Sequence, residues 1–197
     1  MHAIYQILLI TVFLTLAGCG GGGSNSTSTV DTYRFTGTVN GVQFTPPSGI
    51  TVGTAVTGTF SVDRNSIGNT YSGTPNITTY TQTSLAAVNI RIGGMTFNSA
   101  TSSYVVTIGD NVNGRGFGGQ FDQFSWTAVD PTLAAANSLI SVSAGLNLAD
   151  YTGLSFDNTA LPTTLAQFDT GTLFIRGTGN AVNWEVMSTI DSITKIN

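Results

Sequence analysis

The chain has 197 residues, of which 8% are charged and 41% hydrophobic, with 24 glycines and a formal net charge of −4. A chain of this length buries roughly 70% of the surface its unfolded form exposes, so a full core needs no disulfide or metal staple. The single cysteine provides no disulfide partner, and with only six Lys and Arg there is no basic stripe to neutralise phosphates, which excludes nucleic acid and other polyanions as partners.

The first element is an apolar run from Ile4 to Leu16 that holds Ile7, Leu8, Leu9, Ile10, Val12, Phe13 and Leu14 and closes on the small residues Ala17 and Gly18. It is shorter than the roughly 20 residues an α-helix needs to cross a bilayer core, so it reads as an export signal and not as a permanent span. The tetrad Leu16-Ala17-Gly18-Cys19 resembles the lipobox of bacterial lipoproteins. That resemblance implies that residues 1–18 are a signal peptide and that the Cys19 thiol takes a diacylglycerol and becomes the new N-terminus. The chain departs from the family pattern in having only Met1 and His2, without Lys or Arg, ahead of the apolar run. Two or more acyl chains hold a protein firmly to a membrane. Gly20, where an Asp would stand in retained lipoproteins, resembles the Gram-negative pattern sorted to the outer membrane. The alternative is that Cys19 leaves with an ordinary signal peptide and the protein is secreted.

The tether, residues 19–29, is Cys19 followed by Gly, Ser, Thr and Asn alone, a composition that behaves as a flexible coil and buries no apolar surface. A single domain over 30–197 follows, and its dominant period is two, the mark of half-buried antiparallel strands. Tyr33, Phe35 and Val39 alternate with Arg34, Thr36 and Thr38, and Val56, Phe60 and Val62 alternate with Thr57, Thr59 and Ser61. The stretch between Asp63 and Leu85 is polar and reads as poor in strands, leaving Tyr71 and Tyr80 exposed. Ala86, Val88, Ile90 and Ile92 share a face, and Gly93-Gly94 predicts a tight hairpin before Met95-Thr96-Phe97. Further runs are Tyr104-Val106-Ile108, Phe124-Trp126-Ala128, Ile140-Val142, Leu173-Ile175 and Val182-Trp184-Val186, the last pairing with its predecessor across Gly177-Thr178-Gly179-Asn180. Only Pro131 to Asn137 suggests a turn of helix. Many short strands with turn signals between them predict an all-β fold, a single antiparallel β-sandwich of jelly-roll-like or Ig-like kind.

Tyr33-Arg34-Phe35-Thr36-Gly37-Thr38-Val39 and Val56-Thr57-Gly58-Thr59-Phe60-Ser61-Val62-Asp63 resemble the opening of a family of secreted bacterial β-sandwich proteins, many of which carry a PEP-CTERM sorting signal. Ile108-Gly109-Asp110-Asn111, Phe121-Asp122-Gln123-Phe124 and Leu146-Asn147-Leu148-Ala149-Asp150 fit the same pattern. The resemblance implies a surface-associated all-β domain and brings no catalytic residue with it. The chain ends at Asn197 without that sorting signal, and the lipidated N-terminus would replace it as the anchor.

Chemistry is sparse. Once His2 and the signal are removed no His remains, so a Ser or Cys nucleophile lacks its usual base, and a catalytic zinc lacks its usual ligands. A glycan-active enzyme using paired carboxylates would have to draw on nine Asp and Glu185, and Glu185 sits at a solvent-facing position of an alternating strand. Calcium needs only oxygen ligands, and Asp110, Asn111 and Asn113, with Asp122 nearby, form the candidate loop, although Asp-Asn-Gly runs also serve as turn formers. Aromatic rings stack on sugars, which makes Tyr71, Tyr80, Trp126 and Trp184 candidate ligand-binding residues, although both tryptophans are in phase with apolar neighbours. Two readings lead: a non-enzymatic structural or adhesive head facing surface proteins, and a polysaccharide-binding module, with or without calcium.

Overall fold

Alternating apolar and Thr/Ser residues leave each strand one face to bury, and the chain buries them all against one another. The computed structural model describes residues 29–197, apart from 48, 72–73, 83–85, 100–103, 114–119 and 181–182. The signal segment, Cys19 and the tether through residue 28 therefore lie outside the described residues. The strands in chain order are β1 (Val30–Phe44), β2 (Ala55–Asp63), β3 (Gly68–Tyr71), β4 (Thr74–Gln82), β5 (Val88–Ile92), β6 (Met95–Asn98), β7 (Tyr104–Asn113), β8 (Gln120–Val129), β9 (Ser141–Asp150), β10 (Thr170–Thr178) and β11 (Asn183–Lys195). One short helix, α1 (Pro131–Ala136), precedes β9, with Asp130 as its N-cap and Pro131 opening the first turn.

All eleven strands belong to one hydrogen-bonded sheet in the order β3-β4-β7-β8-β9-β10-β11-β1-β2-β5-β6. Every described pairing is antiparallel. The sheet is bent over on itself. Phe60 on β2 lies 5.8 Å from both Phe124 and Trp126 on β8, and the Tyr104 hydroxyl on β7 donates to the Ser61 carbonyl on β2. The two layers of a sandwich are present, but as the two wings of a single all-β sheet and not as separate sheets. Right-handed twist accumulates across so many strands and favours such curling. Two register shifts in the β1–β11 ladder, at Thr36/Gly37 and Val39/Gly41, add local bends to the 15-residue β1.

The inner face carries the core: Tyr33 and Phe35 from β1, Val56 and Phe60 from β2, Ile90 and Ile92 from β5, Trp126 from β8, Leu146 and Leu148 from β9 and Val186 from β11, all essentially inaccessible. Tyr33 stacks on Phe60 at 5.2 Å. Burial pushes the Tyr33 phenol up to about 12, with the Asp31 charge adding and Arg64 opposing. The expected hairpin forms, with Ile92 opposite Met95 and Gly93 at φ +54.

The polar stretch after Asp63 departs from expectation, because it folds as the β3–β4 hairpin. Its inward positions include Thr78 and Gln82, both buried, so no apolar alternation marks it. Hydroxyl pairs take the place of apolar contacts: Thr78 meets Thr70 at 2.8 Å and Thr159 at 2.7 Å. Ile140 also departs from expectation, lying before β9 and 68% exposed.

A recurring feature fits the sheet together. Phe35 stands directly opposite Gly58, Phe174 opposite Gly145, Trp184 opposite Gly177 and Tyr80 opposite Gly68. In each pair the ring occupies the space that a Cβ on the glycine would need. Aromatic cover of a strand glycine restores the packing that its missing side chain loses. Gly58→Ala should therefore lower the unfolding free energy by about 1–3 kcal/mol in urea titrations, because Phe35 and the Asn89 carbonyl leave no room. Gly94→Ala, with open space around it, should change stability by less than about 0.5 kcal/mol. Equal effects would show that the ring-over-glycine fit is unimportant.

Candidate functional site

At the end of the sheet where β1 and β10 finish and β11 begins, three connections meet around a cleft of about 480 Å³. The segment after β1 contributes Thr45, Pro46 and Pro47, the segment after α1 contributes Asn137 to Ile140, and the β10–β11 turn contributes Gly179 and Asn180. Trp184 forms the floor: it is 4% exposed and its indole lies over Gly177. Phe44 faces Trp184 across the β1–β11 ladder, and directly opposed residues share a face of the sheet. Trp184 is covered, whereas Phe44 is 77% exposed.

Phe44 also sits at φ +61, a left-handed conformation that is unusual for a bulky residue and costs of order 1–3 kcal/mol. Ser138, which lines the cleft, has φ +54, whereas Phe44 is not among the lining residues and precedes the lining residue Thr45. None of the lining residues is charged. The Asn137 side-chain amide donates to the Leu133 carbonyl at 2.8 Å, and Asn180 is exposed.

The other residues singled out in the sequence are dispersed. Trp126 is 1% exposed, 5.8 Å from Phe60, with its Nε1 lacking a hydrogen-bond partner among the described residues, so its ring faces the core and offers nothing to a surface ligand. Tyr80 was expected to be exposed but is half-buried: its hydroxyl donates to the Thr159 carbonyl at 2.8 Å, and burial pushes its phenol above the usual range. Tyr71 ends β3, on an edge of the sheet away from Trp184 in strand order. With Trp126 and Trp184 buried and Tyr80 half-buried, these three offer no exposed aromatic platform, and the sequence signal missed at the cleft is Thr45-Pro46-Pro47 just past the exposed Phe44.

Asp110, Asn111 and Asn113 lie at the end of β7, and Asp122 near the start of β8. Asp122 is fully buried, and its two oxygens accept the Asn111 and Phe156 backbone N–H groups at 2.9 and 2.8 Å. Asn111, at φ +51, donates from its side chain to Asp110 at 2.7 Å. These carboxylates close a turn and hold the segment after β9 in place. Among the described residues no group of three or more His, Cys, Asp or Glu gathers to hold a metal ion.

The remaining buried acids play similar parts. Asp130 accepts from Leu133 N at 2.8 Å and Asn98 N at 2.7 Å, tying α1 to β6. Asp31 sits between Arg64 at 2.6 Å and Lys195 at 2.7 Å, joining the start of β1 to the end of β11. Glu185 pairs with Arg176 at 2.7 Å on the neighbouring strand. Asp150 accepts from the N–H groups of Thr152, Leu154 and Ser155 and from the hydroxyls of Thr152 and Ser155. Burial alone would raise its pKa, but these five bonds together hold the carboxyl well below the ordinary range.

No protein-family model, curated protein or solved structure matches the chain.

The depressed Asp150 carboxyl sets a pH dependence. Its stabilising contribution is complete above the ordinary aspartate range near pH 4 and is lost as the pH falls toward its lower folded value. The urea midpoint of the wild type should accordingly drop between pH 5 and pH 2.5, and Asp150→Asn should be less stable at pH 7 with a visibly flatter dependence over that window. An unchanged slope in the variant would mean that other groups set the acid response.

Proposed function

We propose that the chain is a lipid-anchored protein of the cell envelope whose β-head works through its surface, as a structural or adhesive element and without catalysis. The observation that carries this reading is the tetrad Leu16-Ala17-Gly18-Cys19 at the close of an apolar run, followed at once by a Gly/Ser/Thr tether. A flexible tether of that length spans about 20 Å on average, enough to hold a folded head just off a bilayer. The tether leads into the Val30 end of β1. The outer membrane is the expected address, on the strength of Gly20 after Cys19.

The arrangement of the head supports a non-catalytic role. Asp31, Asp122, Asp130 and Asp150 are buried and already engaged as acceptors for backbone N–H groups or as ion-pair partners. A carboxylate so engaged is a poor general acid or base, because proton exchange would break the loop it holds. The outward strand positions are largely Thr, Ser and Asn, as at Thr36, Thr57, Thr96 and Asn147. Such a surface is soluble without charge and suits contact with other envelope components.

Lipid attachment is directly testable. Cells producing the wild-type chain should incorporate a clickable palmitate analogue into it and retain it in the membrane fraction, while Cys19→Ser should abolish both. Label-free wild-type protein in the soluble fraction would favour the secreted alternative.

A further inference from the structure

We propose that the cleft at the Phe44 end of β1 is a binding site for a neutral saccharide. The inference rests on the reading of a head that works through its surface, but is independent of the lipid on Cys19. Three features of the cleft point to that chemistry. Its lining pairs apolar surface from Pro46, Pro47, Leu139, Ile140 and the Trp184 edge with hydroxyl and amide groups from Thr45, Ser138, Asn137 and Asn180. A pyranose presents the same duality, with C–H faces and a rim of hydroxyls that both donate and accept. The lining carries no charge, so a uronate, sulfate or phosphate would be desolvated there without a counter-charge, which is costly. The volume of about 480 Å³ falls within the usual range for small-ligand clefts.

Phe44 supplies the fourth feature. Folding alone gives no reason to hold a phenylalanine 77% exposed in a left-handed conformation while its cross-strand partner Trp184 is buried. Strain of this kind concentrates where a side chain is presented to a ligand. Phe44 does not line the cleft but directly precedes its wall residue Thr45 and is the cross-strand partner of Trp184, so its exposed ring stands at the margin, where it would offer a flat apolar surface to a sugar ring that extends past the rim. The cleft lies past the Phe44 end of β1, the opposite end from Val30.

The test uses the full chain in a non-glycosidic detergent, titrated with neutral oligosaccharides (glucan, mannan, galactan and N-acetylhexosamine fragments) and, for contrast, with polyuronates. Saturable tryptophan quenching by at least one neutral oligosaccharide is expected, with no response to polyuronates. Phe44→Ala and Asn180→Ala, both at exposed positions and so expected to fold, should each weaken binding about fivefold or more. Trp184→Phe, which keeps a ring over Gly177, should remove the fluorescence response while binding persists by equilibrium dialysis. Binding that Phe44→Ala and Asn180→Ala both leave untouched, or a quenching response that survives in Trp184→Phe, would overturn the assignment of the site. A preference for polyuronates, or for proline-rich or apolar peptides over every sugar, would overturn the ligand class. Failure of every neutral oligosaccharide to bind would overturn the proposal while leaving the lipid-anchored reading to stand on the Cys19 result.

Discussion

Closure of the sheet depends on Phe60. Its ring on β2 contacts Phe124 and Trp126 on β8, while β9, β10, β11 and β1 lie between those strands in the hydrogen-bonded order. An open sheet of this width would leave one whole apolar face in water. Bending it until β2 meets β8 converts that face into a core, and the Tyr33–Phe60 stack and the Tyr104 hydroxyl bond to Ser61 hold the same seam. Burying the large rings of Tyr33, Phe60, Tyr104, Phe124 and Trp126 at one place contributes on the order of 2 kcal/mol each, which makes the seam the chief source of cooperativity between the wings.

A sheet can bend that tightly only if its side chains leave room. The glycines facing Phe35, Tyr80 and Trp184 provide it on the inner face, and the rings in turn cover the strand backbone, as Phe174 does over Gly145 on the outer face. The ends of the strands are fixed by a second device suited to a charge-poor chain. Asp122, Asp130 and Asp150 bind backbone N–H groups where another protein would use Lys or Arg pairs, so that only Asp31 and Glu185 among the acids form salt bridges in the described residues. The loops around the sheet are thus held from within, and the outer face is left to Thr and Asn.

Period two at Tyr33-Phe35, Val56-Phe60-Val62, Val88-Ile90-Ile92 and Phe124-Trp126-Ala128 made the all-β antiparallel class legible from the residues alone, and Gly93-Gly94 marked its hairpin. The β3–β4 pair was illegible because Thr78 and Gln82 bury polar groups where the pattern demands apolar ones. The joining of both wings into one sheet was equally hidden, since strand order depends on partners far apart in sequence, such as Phe35 with Ile193. At the candidate site, Trp184 was visible as an aromatic in a strand, but its role as a cleft floor comes from the meeting of three connections. Tyr80 misled because Thr159, remote in sequence, supplies the partner for its hydroxyl. The two backbone N–H groups that Asp122 accepts from, at Asn111 and Phe156, were hidden because they lie on other elements, and residues 114–119 of the candidate cation loop lie outside the described residues.

The cleft past the end of β1 gathers two prolines and uncharged polar groups beside a buried indole, and the residue that leads into it, Phe44, is exposed and left-handed. The closed sheet positions that cleft, so the account stands or falls on the seam at Phe60. The most direct test is a double-mutant cycle on Phe60→Leu and Trp126→Phe, read from urea unfolding free energies. If β2 and β8 pack face to face as described, the two substitutions should couple by about 1 kcal/mol. Strict additivity, with each variant destabilised but no coupling, would contradict a sheet that closes on itself through this pair.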